Sequence, residues 1–255
     1  MKGTQTAVQV HERDGAPTDS GAGMPATFEL GARRVFIVIP AFNEGGAIAD
    51  VVSKVVRRFT CTVVVDDGSA DETAEFAHKA GAHVLVHPIN LGQGAALQTG
   101  IEYALAHGAE YIVTFDADGQ HDADDIPVMI ATMESSNANV ALGSRFLGRA
   151  ERMPASRKWL LKAATLFTRV TTGLKVTDAH NGMRVFNAAG AAKLHIRQNR
   201  MAHASEILDQ IAEHGIPYVE VPVTIRYTEY SLAKGQSGLG AFNILLDLVL
   251  QRLKS

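Results

Sequence analysis

Asp116 and Asp118 stand two residues apart at the end of an apolar run, YIVTFDAD. If that run is a strand, its period of two points both carboxylates the same way, into one cleft. Two carboxylates held so close repel each other, and a divalent cation relieves the repulsion. Mg²⁺ or Mn²⁺, completed by the phosphate oxygens of a substrate, suits such a hard oxygen pair. The same residues also suit an acidic turn that merely caps the following helix, and spacing alone leaves both readings open. The segment NLGQG adds weight to the first, because its glycines, Gly94 among them, precede a helix whose unbonded amides can face an anion. Asp67, followed by Gly68 and Ser69, is either a cap or a hydrogen-bonding partner for a nucleobase or ribose. Together these segments describe a cleft for an anionic ligand.

Such a cleft needs elements to carry it. From Arg33 onward, an apolar run VFIVIP leads through the small polar turn AFNEGG to an amphipathic stretch over 47–58. A second run, CTVVVDDGS, precedes DETAEFAHKAG, where Asp71 is placed to cap a helix and Gly81 to end it. A short strand over 83–87, a helix over 95–106, the strand YIVTFDAD and a helix after Ile126 follow. Next come the strand NVALGSRF, a basic amphipathic segment over 152–172 and the loop VTDAHNGMRVF. A helix ASEILDQIAEHG and a strand YVEVPVTIRY close the pattern. The alternation implies an α/β fold, a mostly parallel sheet flanked by helices. Asn43, Glu44, Asp66, Asp67, Asn90, Asp116 and Asp118 all fall at the carboxyl ends of predicted strands, the edge where open sheets bind ligands.

A hydrophobic share of 46% in 255 residues is enough to bury the core of one catalytic domain, expected over 33–230. Residues 1–32 mix Gly, Pro, Ser, Thr and charges without an apolar period and are expected to form a disordered tail. Residues 231–255 are expected to form a flexible KGQSGLG stretch and an apolar terminal helix, AFNILLDLVLQRLKS. That helix needs burial on its own domain, on a membrane surface or on a small membrane partner. A net charge of −3, with Lys and Arg scattered among Asp and Glu, argues against nucleic acid as a partner. The single cysteine, Cys61, heads a predicted strand and reads as a small core residue, which fits a reducing cytoplasm. No run of about 18 apolar residues is present, so the chain is expected in the cytoplasm, peripheral to the inner face of the plasma membrane at most.

The segments VIPAFNE, VVVDDGSADET, NLGQGAALQTG, FDADGQHDADDIP, GSR and DAHNGMRVF occur in the order seen in family-2 glycosyltransferases. As a set they resemble the branch that holds dolichyl- and polyprenyl-phosphate sugar transferases, over residues 35–227. The resemblance implies a GT-A fold, a UDP- or GDP-sugar donor, a divalent cation and inversion at the anomeric carbon. It implies that Pro40, Ala41 and Glu44 surround the base, with Asp67 on the base or ribose. Asp116 and Asp118 would be the metal and diphosphate pair, and Gln120 would complete the metal site. Arg145 and Arg157 match basic positions facing the diphosphate or an acceptor phosphate. Arg184 matches the arginine of a Gly-x-Arg element, either touching ligand or buried in an ion pair beneath the cleft.

The implied reaction is transfer of a sugar to an acceptor, polyprenyl phosphate first and a saccharide hydroxyl second. A phosphate acceptor is already anionic and needs no general base. A hydroxyl acceptor needs one, and Asp178 is the first candidate, with His121 as a further metal-side group. His203 and Glu206 read as a structural pair. Two other classes remain. A sugar nucleotidyltransferase would place a Gly-rich, Arg-containing loop where AFNEGG stands. A non-catalytic binding module would carry a damaged acid pair, whereas Asp116, Asp118 and Gln120 are all present.

Overall fold

Every residue of β1 (Val35–Ala41) is buried, and its period of two divides the core into two layers. Val35, Ile37 and Ile39 face one layer, with α1 (Ile48–Val56) and α4 (Asp125–Ser135). Phe36 and Val38 face the other, with α3 (Gln93–Ala106) and α7 (His203–Glu213). The amphipathic reading of 47–58 holds: Ile48, Val51, Val52 and Val55 recur on one face of α1 and all are buried. This computed structural model describes residues 34–198, 202–228 and 230. The tail expected over 1–32 and the stretch and helix expected over 231–255 lie outside the described residues.

Seven strands form one sheet, in the order β3 (His83–Val86), β2 (Cys61–Asp66), β1, β4 (Tyr111–Thr114), β6 (Arg184–Asn187), β5 (Val140–Glu151) and β7 (Tyr218–Arg226). Pairing is parallel except at β6, which runs antiparallel to both β4 and β5. The mostly parallel α/β architecture with flanking helices is therefore the one the strand and helix alternation implied. Cys61 is buried at the head of β2, and burial pushes its thiol pKa up.

Three local expectations need correction. The segment read as the loop VTDAHNGMRVF ends in β6, whose four residues are too short to show a period. Its pairing Thr114↔Arg184 brings the preceding residues, 181–183, against the end of β4. Next, β4 ends at Thr114, and although the Phe115 amide still donates to Val38 O at 3.0 Å, the chain then turns. Asp116 and Asp118 thus sit in a turn closed by Gly119 at φ 74°, so strand alternation is not what brings them together. Finally, α3 begins at Gln93, two residues earlier than expected, with Gly92 before it at φ 100°.

Asp71, expected to cap a helix, lies one residue before the N-cap of α2 (Thr73–Lys79), which is Glu72, and accepts from Thr73 N at 3.1 Å. Its other oxygen accepts from Gly45 N at 3.0 Å, so one carboxylate ties the first residue of the helix to the AFNEGG turn. The remaining helices are α5 (Ala155–Thr172) and α6 (Ala188–Ala191). Among the described residues no helix is long and apolar enough to cross a membrane.

Candidate active site

The carboxyl ends of β1, β2 and β4 open on a cleft of about 610 Å³, a volume suited to a nucleotide-sized ligand. Pro40, Ala41 and Glu44 come from β1 and the turn after it, Asp67 from the end of β2, and Asn90, Gly92 and Gln93 from the approach to α3. Asp116, Asp118, Gln120 and His121 come from the turn after β4, Arg145 from β5, Arg157 from α5, and His180 and Gly182 from the segment before β6. Nine of the eleven candidate residues taken from the sequence meet here; Gly94 and Asp178 do not.

The acid turn is tightly supported. His121 Nε2 lies 2.9 Å from Asp116 Oδ2, and the His121 side chain is only 3% exposed while that of Asp116 is 32% exposed. Gln120 N and Nε2 donate to the two Asp118 oxygens at 3.0 and 2.6 Å. Arg226 N donates to Gln120 O at 2.9 Å and clips the turn to β7. Burial pushes Asp116 up, but the His121 hydrogen bond and the charges of His121, His203 and Arg145 outweigh it and hold its carboxyl below the ordinary range. Asp118 moves the other way, raised by burial and then by the charge of Asp116.

Two neighbouring, half-buried carboxylates with an amide side chain beside them are an oxygen donor set that fits Mg²⁺ or Mn²⁺. Among the described residues no group of three His, Cys, Asp or Glu forms a ligand cluster. Two carboxylates and one amide would leave coordination positions for a substrate's phosphate oxygens.

Gly182 explains how Asp116 fits. A Cβ there would lie 2.1 Å from Asp116 Oδ2, so only glycine lets this chain pass the carboxylate. Gly182→Ala is expected to displace Asp116 and lower turnover about a hundredfold or more, given how steeply catalysis depends on placement. Steady-state kinetics with an unchanged far-UV circular dichroism spectrum checks this; wild-type turnover would remove Asp116 from the site.

On the nucleotide side, Asp67 is 2% exposed and committed to protein partners. It accepts from Leu91 N at 2.9 Å and Gly92 N at 2.6 Å, and its Oδ1 lies 2.8 Å from His87 Nδ1. These bonds hold the NLGQG turn at the cleft wall, which Asp67 itself lines. Gly94 faces away from the cleft: a Cβ on it would meet Gln198 O at 2.0 Å, so this glycine serves a close backbone approach and Gly92 lines the cleft in its place. Glu44 Oε2 accepts from Tyr230 OH at 2.8 Å. Burial, then that hydrogen bond and the Glu44 charge, push the Tyr230 pKa up to about 12.

The arginine side is built around residues that motif spacing missed. Arg145 Nε donates to Asp178 Oδ2 at 2.6 Å, Nη1 to Tyr227 OH at 2.9 Å and Nη2 to His180 O at 2.8 Å. The Arg157 guanidinium lies 5.0 Å from the centroid of the same Tyr227 ring. Tyr227 thus joins both cleft arginines, and nothing in the spacing of YVEVPVTIRY marks it. Asp178, expected as a general base, has a fully buried side chain that accepts from Arg145 and does not line the cleft. Burial lowers His180 to about 4, which keeps its ring neutral at the cleft wall.

Arg184 lies beneath the cleft, 4% exposed, and donates to Ala179 O and Ala204 O at 3.4 and 3.1 Å. Burial lowers its pKa to about 10 against the opposing charges of Asp116 and Asp178, so it stays charged. Glu206 accepts from the backbone amides of Arg197 and Gln198, a structural use.

The family model described as "Glycosyl transferase family 2" matches residues 36–194. UDP-N-acetylglucosamine--dolichyl-phosphate N-acetylglucosaminyltransferase of Methanococcus voltae is 30% identical over 241 residues, 86% of this chain and 96% of that protein. Undecaprenyl-phosphate mannosyltransferase of Micrococcus luteus is 29% identical over 223 residues, 81% of this chain and 89% of that one. Among solved structures, glucosyl-3-phosphoglycerate synthase from Mycobacterium tuberculosis, in complex with Mn²⁺, UDP-glucose and phosphoglyceric acid, aligns with a TM-score of 0.61. That alignment covers 77% of this chain and 73% of the synthase at 18% identity, a likeness of fold.

Proposed function

The chain belongs to glycosyl transferase family 2, and on that premise we propose that it moves a sugar from a UDP- or GDP-sugar to a polyprenyl phosphate, with inversion. The observation that carries the reading is the meeting, in the lining of one cleft, of an acid pair, Asp116 and Asp118, with two arginines, Arg145 and Arg157. The named lipid-phosphate activities of two relatives that match along most of their length support the acceptor.

In this reading Asp116, Asp118 and Gln120 hold Mg²⁺ or Mn²⁺, and Pro40, Ala41 and Glu44 surround the base. When bound, the cation supplies positive charge against the departing diphosphate. Arg145 and Arg157 orient the acceptor phosphate, one oxygen of which attacks the anomeric carbon as the bond to the diphosphate oxygen breaks. The acceptor oxygen is anionic near neutral pH, so the reaction requires no general base. The commitment of Asp178 to Arg145 agrees with that requirement.

A thermal-shift screen of nucleoside diphosphates tests the donor half. UDP with Mn²⁺, at a hundredfold excess over Kd, is expected to raise the melting temperature by roughly 5–10 °C, with a smaller shift when Mn²⁺ is omitted. GDP is the second nucleotide to try. Release of diphosphate from a nucleoside triphosphate and a sugar phosphate, with no nucleoside diphosphate released from an activated sugar, would overturn the assignment in favour of nucleotidyl transfer.

A further inference from the structure

Trp159, Leu166 and Val170 are 74%, 63% and 78% exposed, an unusual concentration of large apolar surface on one helix, α5. With the small Ala163 they recur at intervals of four, three and four residues and so form one stripe along the helix. The buried residues of α5, Ala164, Thr165 and Thr168, lie on the other side, so the stripe is not a misplaced core face.

The charge around it is one-sided. Between Arg149 and Arg169 there are six Lys or Arg and a single acid, Glu151, in a chain whose net charge is −3. α5 itself carries Arg157, Lys158, Lys162 and Arg169 and no acid, and the Lys162 ammonium lies 6.0 Å from the Trp159 ring centroid. An exposed apolar stripe with an indole at one end and cations alongside is the pattern of a helix lying in a lipid interface, its rings and alkyl groups below the headgroups and its cations among them.

We propose that the outward face of α5, with Trp159, Leu166 and Val170 inserted and Lys158, Lys162 and Arg169 among the headgroups, seats the protein on an anionic lipid surface. The inference extends the proposed function and rests on it for its purpose. Arg157 lines the cleft from this same helix, so seating α5 brings the cleft to within about one helix diameter, roughly 10 Å, of the headgroups. A lipid phosphate presented at that surface is then within reach of Arg157 and Arg145. The charge complementarity favours anionic lipid over a neutral apolar partner, and it predicts that salt weakens the attachment.

Trp159 is the chain's only tryptophan, so its fluorescence reports on this surface directly. The full chain is mixed with vesicles of phosphatidylglycerol and phosphatidylcholine, free of polyprenyl phosphate, and with vesicles of phosphatidylcholine alone. The expected result is a shift of emission to shorter wavelength, with co-sedimentation, on the anionic vesicles only, reversed by salt. The double variant Leu166→Gln/Val170→Gln should bind those vesicles at least about tenfold more weakly. Emission already at short wavelength in buffer would mean that the stripe is covered by the rest of the chain or by a second copy, and would overturn the proposal. Unweakened vesicle binding by the double variant would also overturn it, by placing the attachment elsewhere. Transfer to a detergent-dispersed polyprenyl phosphate separates the two claims: activity there without vesicle binding refutes the docking surface alone. Vesicle binding without activity on any lipid phosphate refutes the proposed acceptor alone.

Discussion

Asp118→Asn is expected to reduce transfer by about a thousandfold or more while leaving the melting temperature of the ligand-free protein within about 4 °C of wild type. The two halves have separate causes. Asn keeps the shape of the side chain and one of the two oxygens that accept from Gln120 at 3.0 and 2.6 Å, so the turn loses little. It also removes a charge that burial and Asp116 both disfavour, an offsetting gain. What it removes for function is half of the negative charge facing a cation, which no other side chain in the turn replaces. The measurement is a pair: turnover with Mn²⁺ present, and thermal melting with and without UDP and Mn²⁺. Wild-type turnover in a variant that melts normally would mean that the acid pair is not the metal site.

The parts of this site that were legible in the sequence are those set by neighbours along the chain. β1 could be read because a strand buried on both faces leaves an unbroken apolar run, VFIVIP, and α1 because its valines repeat at helical spacing. The acid pair, Gln120 and Pro40 lie at or just beyond the ends of such elements, and an element's end is easy to locate once its body is recognised. Strand alternation would bring Asp116 and Asp118 together only if β4 ran two to four residues further than it does. β4 stops at Thr114, and a turn does the converging.

What was not legible depends on partners distant in sequence. Asp178 sits in a polar loop and reads as available, yet Arg145, thirty-three residues earlier, occupies it. Gly94 reads as part of an anion-binding turn, but the backbone of Gln198 lies against it. Asp67 reads as a ligand contact and does line the cleft, but that its oxygens also accept from the amides of Leu91 and Gly92 depends on a turn more than twenty residues away. In each case the motif located a segment at or next to the cleft, and contacts with residues distant along the chain decided what the residue does there. Tyr227 shows the opposite failure. It is an inconspicuous tyrosine after an ordinary strand, and it holds both cleft arginines through its hydroxyl and its ring.

Asp178→Ala is expected to lower stability by about 3–5 kcal/mol, which for a domain of this size is a fall in melting temperature of roughly 6–20 °C. The cause is the charge it strands. Arg145 and Asp178 have side chains only 6% and 0% exposed, so deleting the acid leaves a nearly buried guanidinium without its paired carboxylate and with little access to water. Asp178→Asn separates the two roles this residue has been given. Its amide oxygen can still accept from Arg145 Nε, so if Asp178 positions Arg145, transfer persists with a raised KM for the lipid phosphate and a nearly unchanged kcat. If it were a general base, kcat would collapse while the melting temperature and KM stayed close to wild type. Replacing both partners, as Arg145→Met with Asp178→Leu, should recover most of the stability lost in Asp178→Ala because no charge is then buried unpaired. It should not recover transfer, since the acceptor phosphate would face Arg157 alone. A double variant that is both stable and active would remove Arg145 from the acceptor site.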